Sequence, residues 1–295
     1  MGQARRRKLE PCICGSGLPA GQCCWTARGF HKKPAVLDLR NTGVTGSRDR
    51  CYMSRTGGCG TRVSGEHLIS EAVLKVIADK EIEVSGMPWL KGQKKTLGFG
   101  ALTANCLCSR HNSLLSPIDI AGARFFEAIQ KCGTNDCGRG LLFLISGHDV
   151  ERWILRSLTI FGVSGNFAID GTVIDRDFVD RLHIIELLES VANWKRPLGL
   201  YFTRSVGQQF MRADNLQIAP LLKAGSEELV GIALDIQGLH FALVAADHDL
   251  AGTRLTHALY RPAGFVFRIG AAINRVFLSW EDGLRHESVI MEWTQ

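Results

Sequence analysis

The stretch Asn105-Cys106-Leu107-Cys108-Ser109-Arg110-His111-Asn112 decides how the chain is read. Two thiols, an imidazole and a side-chain amide crowd together, and the segment runs straight into SLLSPIDIAGARFFEAIQK at 113–131. There the apolar spacing predicts a helix from about Ser116 or Pro117 to Lys131, with Pro117 in its first turn, where a missing N–H costs least. Working outward, 65–70 reads GEHLIS and 51–60 reads CYMSRTGGCG. Ser70 is a suitable N-cap for a second helix over 70–81, whose apolar positions are Ala72, Val73, Val76 and Ile77. Between the two, residues 82–104 are rich in Gly and Lys and read as loop and short strands.

The chain has ten cysteines. They sit in tight groups with Gly and His between them, a pattern that points to metal rather than to disulfides. The first group is CICGSGLPAGQCC at 12–24. Cys12, Cys14, Cys23 and Cys24 can fold back on one tetrahedral ion, because the glycines permit the positive φ values of so tight a turn. Cys132 and Cys137, in KCGTNDCGRG, have no evident partners and read as free thiols in a turn.

The N-terminal group resembles the SEC-C zinc motif, C-x-C-G-S-G, then five residues, then C followed by C or H. The resemblance implies a structural Zn2+ on Cys12, Cys14, Cys23 and Cys24, a bacterial origin, and a docking tag for a protein partner. A closed four-thiolate site leaves no position for water, so no chemistry is expected there.

The second group resembles the zinc-bearing HNH (ββα-metal) nucleases over about residues 51–131. In that family two Cys precede an acidic-His pair, and an insertion then leads to a C-x-x-C-H segment at a helix start. The resemblance implies a second structural Zn2+ on Cys51, Cys59, Cys108 and His111. It makes His67 the general base, with Glu66 and Asn112 as ligands of a catalytic Mg2+ or Mn2+, and Asn105 as a loop-bracing residue. Such an arrangement suits phosphodiester hydrolysis: an imidazole generates the nucleophile from water near neutral pH, and a hard cation stabilises the developing charge. The chain departs from the family in three places. The Cys51–Cys59 knuckle is enlarged, His111 replaces the last zinc Cys, and Asn105 lies closer to Cys108 than the family's middle Asn. Cys106 competes with Cys108 as a ligand.

The remainder, 136–295, carries no metal-type cluster. Strands are expected at 141–146, 198–203, 229–236, 240–246 and 264–270, and helices at about 148–162 and 177–190. The run of strands near the end favours an antiparallel sheet. His148, His183, His240, His257 and His286 fall in apolar periodic segments and read as structural. Trp153 and Arg156 read as packing residues of the first of these helices, with Arg152 and Arg156 also able to reach phosphate.

Hydrophobic residues make up 45% of the chain and charged residues 22%, as in ordinary globular proteins. No apolar run reaches the roughly 18–20 residues needed to span a bilayer. The start MGQARRRKLE lacks an apolar signal region, so a cytoplasmic protein is expected. The net charge of +6 is concentrated in the first fifty residues and at Lys91, Lys94 and Lys95, which suits a polyphosphate partner. The expected fold class is α+β: a zinc knuckle at 1–30, an exposed linker at 31–50, a ββα-metal HNH core with structural zinc at 51–135, and a mixed α/β region at 136–295. The expected function is metal-dependent DNA endonuclease, in restriction, mobile-element or phage-defence biology. The competing expectation is a non-catalytic zinc adaptor that docks to protein or nucleic acid.

Overall fold

A helix that meets water on almost no side organises the chain. In the computed structural model, which describes residues 8–27, 29–40, 49–169, 172–175, 177–203, 215–247, 249 and 253–292, this is Gly147–Val163. Every residue from Gly147 to Gly162 is buried. The strand Leu142–Ser146 leads directly into it, and Ser146 caps it by accepting the Asp149 N–H at 3.2 Å. Asp149 lies in the first turn, where the helix dipole favours a carboxylate. The expected span of 148–162 is met within a residue at each end.

The helix Ser109–Thr134 packs alongside and is much longer than its apolar pattern suggests. It starts early because Cys108 takes the N-cap position, its sulfur accepting the His111 N–H at 3.5 Å. Pro117 therefore lies inside the helix rather than in its first turn, at the loss of one backbone hydrogen bond. The two helices approach at Gly122, where an added Cβ would stand 2.8 Å from the Trp153 indole. The shorter helix Glu71–Ile77 follows Ser70, but the Ser70 hydroxyl does not cap it. It accepts the Trp153 indole N–H at 3.0 Å instead.

Two sheets enclose these helices, and the class is mixed α+β. The larger has seven strands in the order Leu259–Tyr260, Gly199–Thr203, Leu239–Val244, Leu229–Ile236, Asn215–Leu222, Glu81–Ser85, Lys95–Gly98. The smaller has four: Ser288–Glu292, Gly264–Ile269, Ala272–Ser279, Leu142–Ser146. Most pairings are antiparallel, as expected, but Glu81–Ser85 joins Asn215–Leu222 in parallel, and each end of the smaller sheet is also a parallel pair. The sheets meet through aromatic edges: Phe265 lies 5.2 Å from Phe202 and 5.8 Å from Phe125, ring centre to ring centre.

The boundaries read from sequence do not separate independent cores. Residues 81–98 supply two strands to a sheet otherwise built from 199–260. One apolar cluster runs from Leu37 through Ile129 to Val289. The segment read as an exposed linker places Leu37 and Leu39 in that cluster, and its Ala35 N–H donates to the Asp149 carboxylate at 3.0 Å. Short polar-looking flanks hid two apolar anchors. The N-terminal knuckle is seated as well. Leu144 donates its N–H to Ile13 at 3.2 Å, and Leu144 and Phe277 pack against the cysteine cluster. It thereby covers the open edge of Leu142–Ser146, a common protection for an edge strand. No helix among the described residues is long and apolar enough to cross a membrane.

Replacing Gly122 by Val drives a branched side chain into the Trp153 ring. We expect a loss of about 1–3 kcal/mol in urea unfolding, against less than about 0.5 kcal/mol for Ala at the exposed neighbour Ile120.

Candidate functional site

Two clusters of soft ligands are already assembled. In the first, the sulfurs of Cys12, Cys14, Cys23 and Cys24 all lie within 4.8 Å of one another. Cys23 Sγ is 3.5 Å from both Cys14 Sγ and Cys24 Sγ. Two thiolates on one tetrahedral zinc stand about 3.8 Å apart, given Zn–S bonds near 2.3 Å. A disulfide would need about 2.05 Å. Ser16 adds its hydroxyl 3.2 Å from Cys23 Sγ, and Gly15 and Gly17 adopt the positive φ that closes the turn (75° and 76°).

The second cluster is Cys51, Cys59, Cys108 and His111, again within 4.8 Å. Its imidazole is oriented from behind. Thr56 Oγ1 donates to the Met53 carbonyl at 2.9 Å, so its lone pair is free to accept from His111 Nε2 at 2.9 Å. Nδ1 faces the sulfurs of Cys108, Cys51 and Cys59 at 3.2, 3.4 and 3.8 Å, while Arg110 Nη1 stands 3.3 Å from Nε2. Arg110 stands beside the ring but donates to the Gly58 carbonyl at 3.1 Å. Burial lowers the His111 pKa, and Arg110 lowers it further, both favouring the neutral ring that a metal requires. Burial raises the Cys108 thiol, but the N–H groups of His111 and Gly60 together with hydrogen bonds to Cys51 and Cys59 outweigh it, and the net shift is downward.

The competition between Cys106 and Cys108 resolves in favour of Cys108. Cys106 lies outside the cluster, and burial pushes its thiol up to about 12. Cys132 is likewise pushed up to about 12, buried in the last turns of Ser109–Thr134 rather than in a turn after it; Cys137 alone is exposed. The donor sets and their spacing fit zinc.

Around the second cluster the chain forms strand, strand and helix: Val63–His67 pairs antiparallel with Thr103–Cys108, which leads into Ser109–Thr134. His67 ends the first strand, half-buried, and its ring has no hydrogen bond among the described residues. Burial lowers its pKa, with the Glu71 carboxylate pulling the other way and Lys75 adding to the lowering. Burial thus favours the uncharged ring. Asn112, in the first turn of the helix, donates from Nδ2 to Ser64 Oγ at 3.3 Å, and Ser64 donates to the Leu107 carbonyl at 3.2 Å. The amide therefore ties the helix to both strands. Asn105 is exposed, at a register shift opposite Gly65.

Glu66 is not beside His67. Successive strand residues face opposite sides, and this one turns into the core, where its carboxylate pairs with Arg156 of the buried helix. Arg156 Nε stands 3.3 Å from Asp119, and burial pushes the Asp119 carboxyl up to about 7, against a smaller lowering by Ser70. Burial likewise lowers Arg156, to about 10. Glu66 Oε2, Asp119 Oδ1, Tyr52 Oη and Arg156 Nη1 are buried without hydrogen-bond partners among the described residues. The carboxylate expected to hold a hard cation thus already has a counter-ion. Neither Asp119 nor Arg156 announces this in the sequence, because the partners come from distant segments. Arg152 is buried too, bonded to Asp149 and to the Ala35 carbonyl at 2.7 Å, so neither arginine reaches phosphate.

The basic groups are only partly in view. Arg5, Arg6, Arg7, Arg28 and Arg48 lie outside the described residues. Lys91, Lys94 and Lys95 are exposed, with Lys94 paired to Glu83 at 2.8 Å and Lys95 Nζ 5.9 Å from the Trp89 ring. Protein-family models, curated proteins and solved structures contain no match to this chain.

Zinc analysis of the purified chain should return one ion for each of the two clusters. Cys12→Ser and Cys108→Ser should each remove one, and a variant that keeps both would misassign its cluster. Arg156→Met, which strands the buried Glu66 carboxylate, should lower stability by about 3–5 kcal/mol in urea unfolding, and adding Glu66→Leu should recover most of that loss.

Proposed function

We propose that the chain is a phosphodiesterase of the HNH kind, acting on DNA, with His67 as its general base. The observation that supports this reading is the half-buried imidazole of His67, without a hydrogen bond among the described residues, at the end of a strand. It belongs to a hairpin that the Cys51, Cys59, Cys108, His111 cluster pins to a helix carrying Asn112 in its first turn. A hairpin of two short strands has too little core to hold itself, and zinc would supply the missing stability. His67 would accept a proton from the water that attacks phosphorus, and the imidazolium would return it to solvent after the leaving oxygen departs. Asn112 would hold the helix start against Ser64 and keep the two strands in register with it.

The hard cation of the HNH pattern fits less well. Glu66 is committed to Arg156 and does not fit the role of its carboxylate ligand. The Asn112 side-chain oxygen is the remaining donor of that pair. In the same reading the N-terminal cluster is SEC-C-like, although its seat on Leu144 and Phe277 makes it part of the fold. If it docks a protein partner, it does so through its outer side.

The Glu66–Arg156 pair also favours a second reading, a zinc adaptor that retains the scaffold and binds protein or nucleic acid without cutting it. Plasmid nicking with added Mg2+ or Mn2+ separates the two. The wild type should cut, and His67→Ala should lose about 100-fold or more while keeping its zinc and its unfolding midpoint. Absence of cutting by the wild type, with DNA binding retained, would establish the adaptor.

A further inference from the structure

The face of the seven-stranded sheet turned away from the helices carries a depression that the reading above does not use. Strand alternation sends Phe202, Phe241, Leu234 and Leu216 into the core and leaves the residues between them on the opposite face. An outer face of this kind is ordinarily filled with long polar side chains. Here Ala233 and Ala219 stand side by side on adjacent strands as a flat floor, and the row continues into the buried Ala242. Leu221 and Leu255 rise beside it, and the groove encloses about 460 Å3. That volume suits a small ligand rather than a protein segment.

One end of the groove is polar. In the neighbouring cross-strand row, Thr203 pairs with His240, His240 with Asp235, and Asp235 with Gln217. His240 Nδ1 stands 3.1 Å from Asp235 Oδ2. Asp235 Oδ1 is buried and accepts no hydrogen bond from the described residues. A buried carboxylate oxygen without a donor is costly, and a carboxylate can only accept. The group that would satisfy it must bring an N–H or O–H, and the negative charge strengthens either bond.

We propose that this groove binds a small, flat, aromatic molecule whose N–H or O–H group is received by Asp235 Oδ1 while its ring lies on Ala219 and Ala233. His240 orients the carboxylate through its other oxygen. The groove is independent of His67, so the proposal stands apart from the nuclease reading.

The test uses the full zinc-loaded chain and the fluorescent aromatic amine N-phenyl-1-naphthylamine, whose emission rises in apolar surroundings. Saturable binding is expected. Ala233→Leu and, separately, Ala219→Leu, which raise the floor, should each weaken it at least tenfold while leaving zinc content and unfolding midpoint unchanged. Methylation of the probe's nitrogen, which removes its only donor, should weaken binding by a similar factor, and Asp235→Leu should erase the difference between the two probes. Absence of saturable binding, or binding indifferent to both floor variants, would overturn the site. Equal affinity for the methylated probe would overturn the role of Asp235.

Discussion

Everything in this fold answers to the problem of burying a helix that carries charge. Gly147–Val163 has His148, Asp149, Glu151, Arg152 and Arg156 inside the protein, and an ionised group taken out of water must find a partner or give up its charge. Each finds its partner in a different part of the chain. Asp149 and Arg152 hold Ala35, and Glu151 receives Arg261 at 2.7 and 3.0 Å and His148 at 3.1 Å. His148 in turn accepts the Glu281 N–H at 3.0 Å, and Arg156 holds Glu66. Apolar residues of matching shape would pack with similar strength, but they would not select these particular neighbours. The ionic ties specify which segments meet.

That logic explains what could be read from the sequence. The candidate metal ligands were legible because thiols and imidazoles are rare: the first cluster is local, and the second joins two short local groups. The helix itself was legible from its apolar period, as were the strands Leu142–Ser146, Gly199–Thr203 and Leu229–Ile236. The strand Asn215–Leu222 escaped notice because Pro220 interrupts its pattern, and Ala272–Ser279 because Asn274 and Arg275 break its apolar run. The direction of Glu66 could not be read at all. In the sequence it is simply the residue before His67, and the guanidinium that turns it inward is ninety positions away. The choice between Cys106 and Cys108 was equally closed, since residues two apart on a strand share a face, and only the N-cap position of Cys108 beside His111 separates them.

The candidate site and the C-terminal sheet are mechanically one piece. The hairpin strand Val63–His67 is followed by the insertion that contributes Glu81–Ser85 to the large sheet, and the chain then returns through Thr103–Cys108 to the zinc ligands. His67 therefore has a foundation on both sides: a helix tied to the second ligand cluster and a seven-stranded sheet. Catalytic groups placed on such elements hold their geometry better than groups on free loops.

The seating of the N-terminal knuckle has a consequence for the order in which the protein is made. Residues 12–24 are made well before their seat and could close on a metal by themselves, since all four ligands are local. Their seat is completed only when Phe277 and Ser279 have been synthesised, the latter holding the Lys32 backbone at 2.6 and 3.2 Å. Through most of translation the nascent chain thus carries a finished metal module with nowhere to sit, together with an uncovered strand edge at Leu142–Ser146. Closure of that contact joins segments far apart in the sequence, a long-range step that must come late. A chain cut short before Phe277 would keep its first zinc and lack part of the surface that zinc site was built to cover.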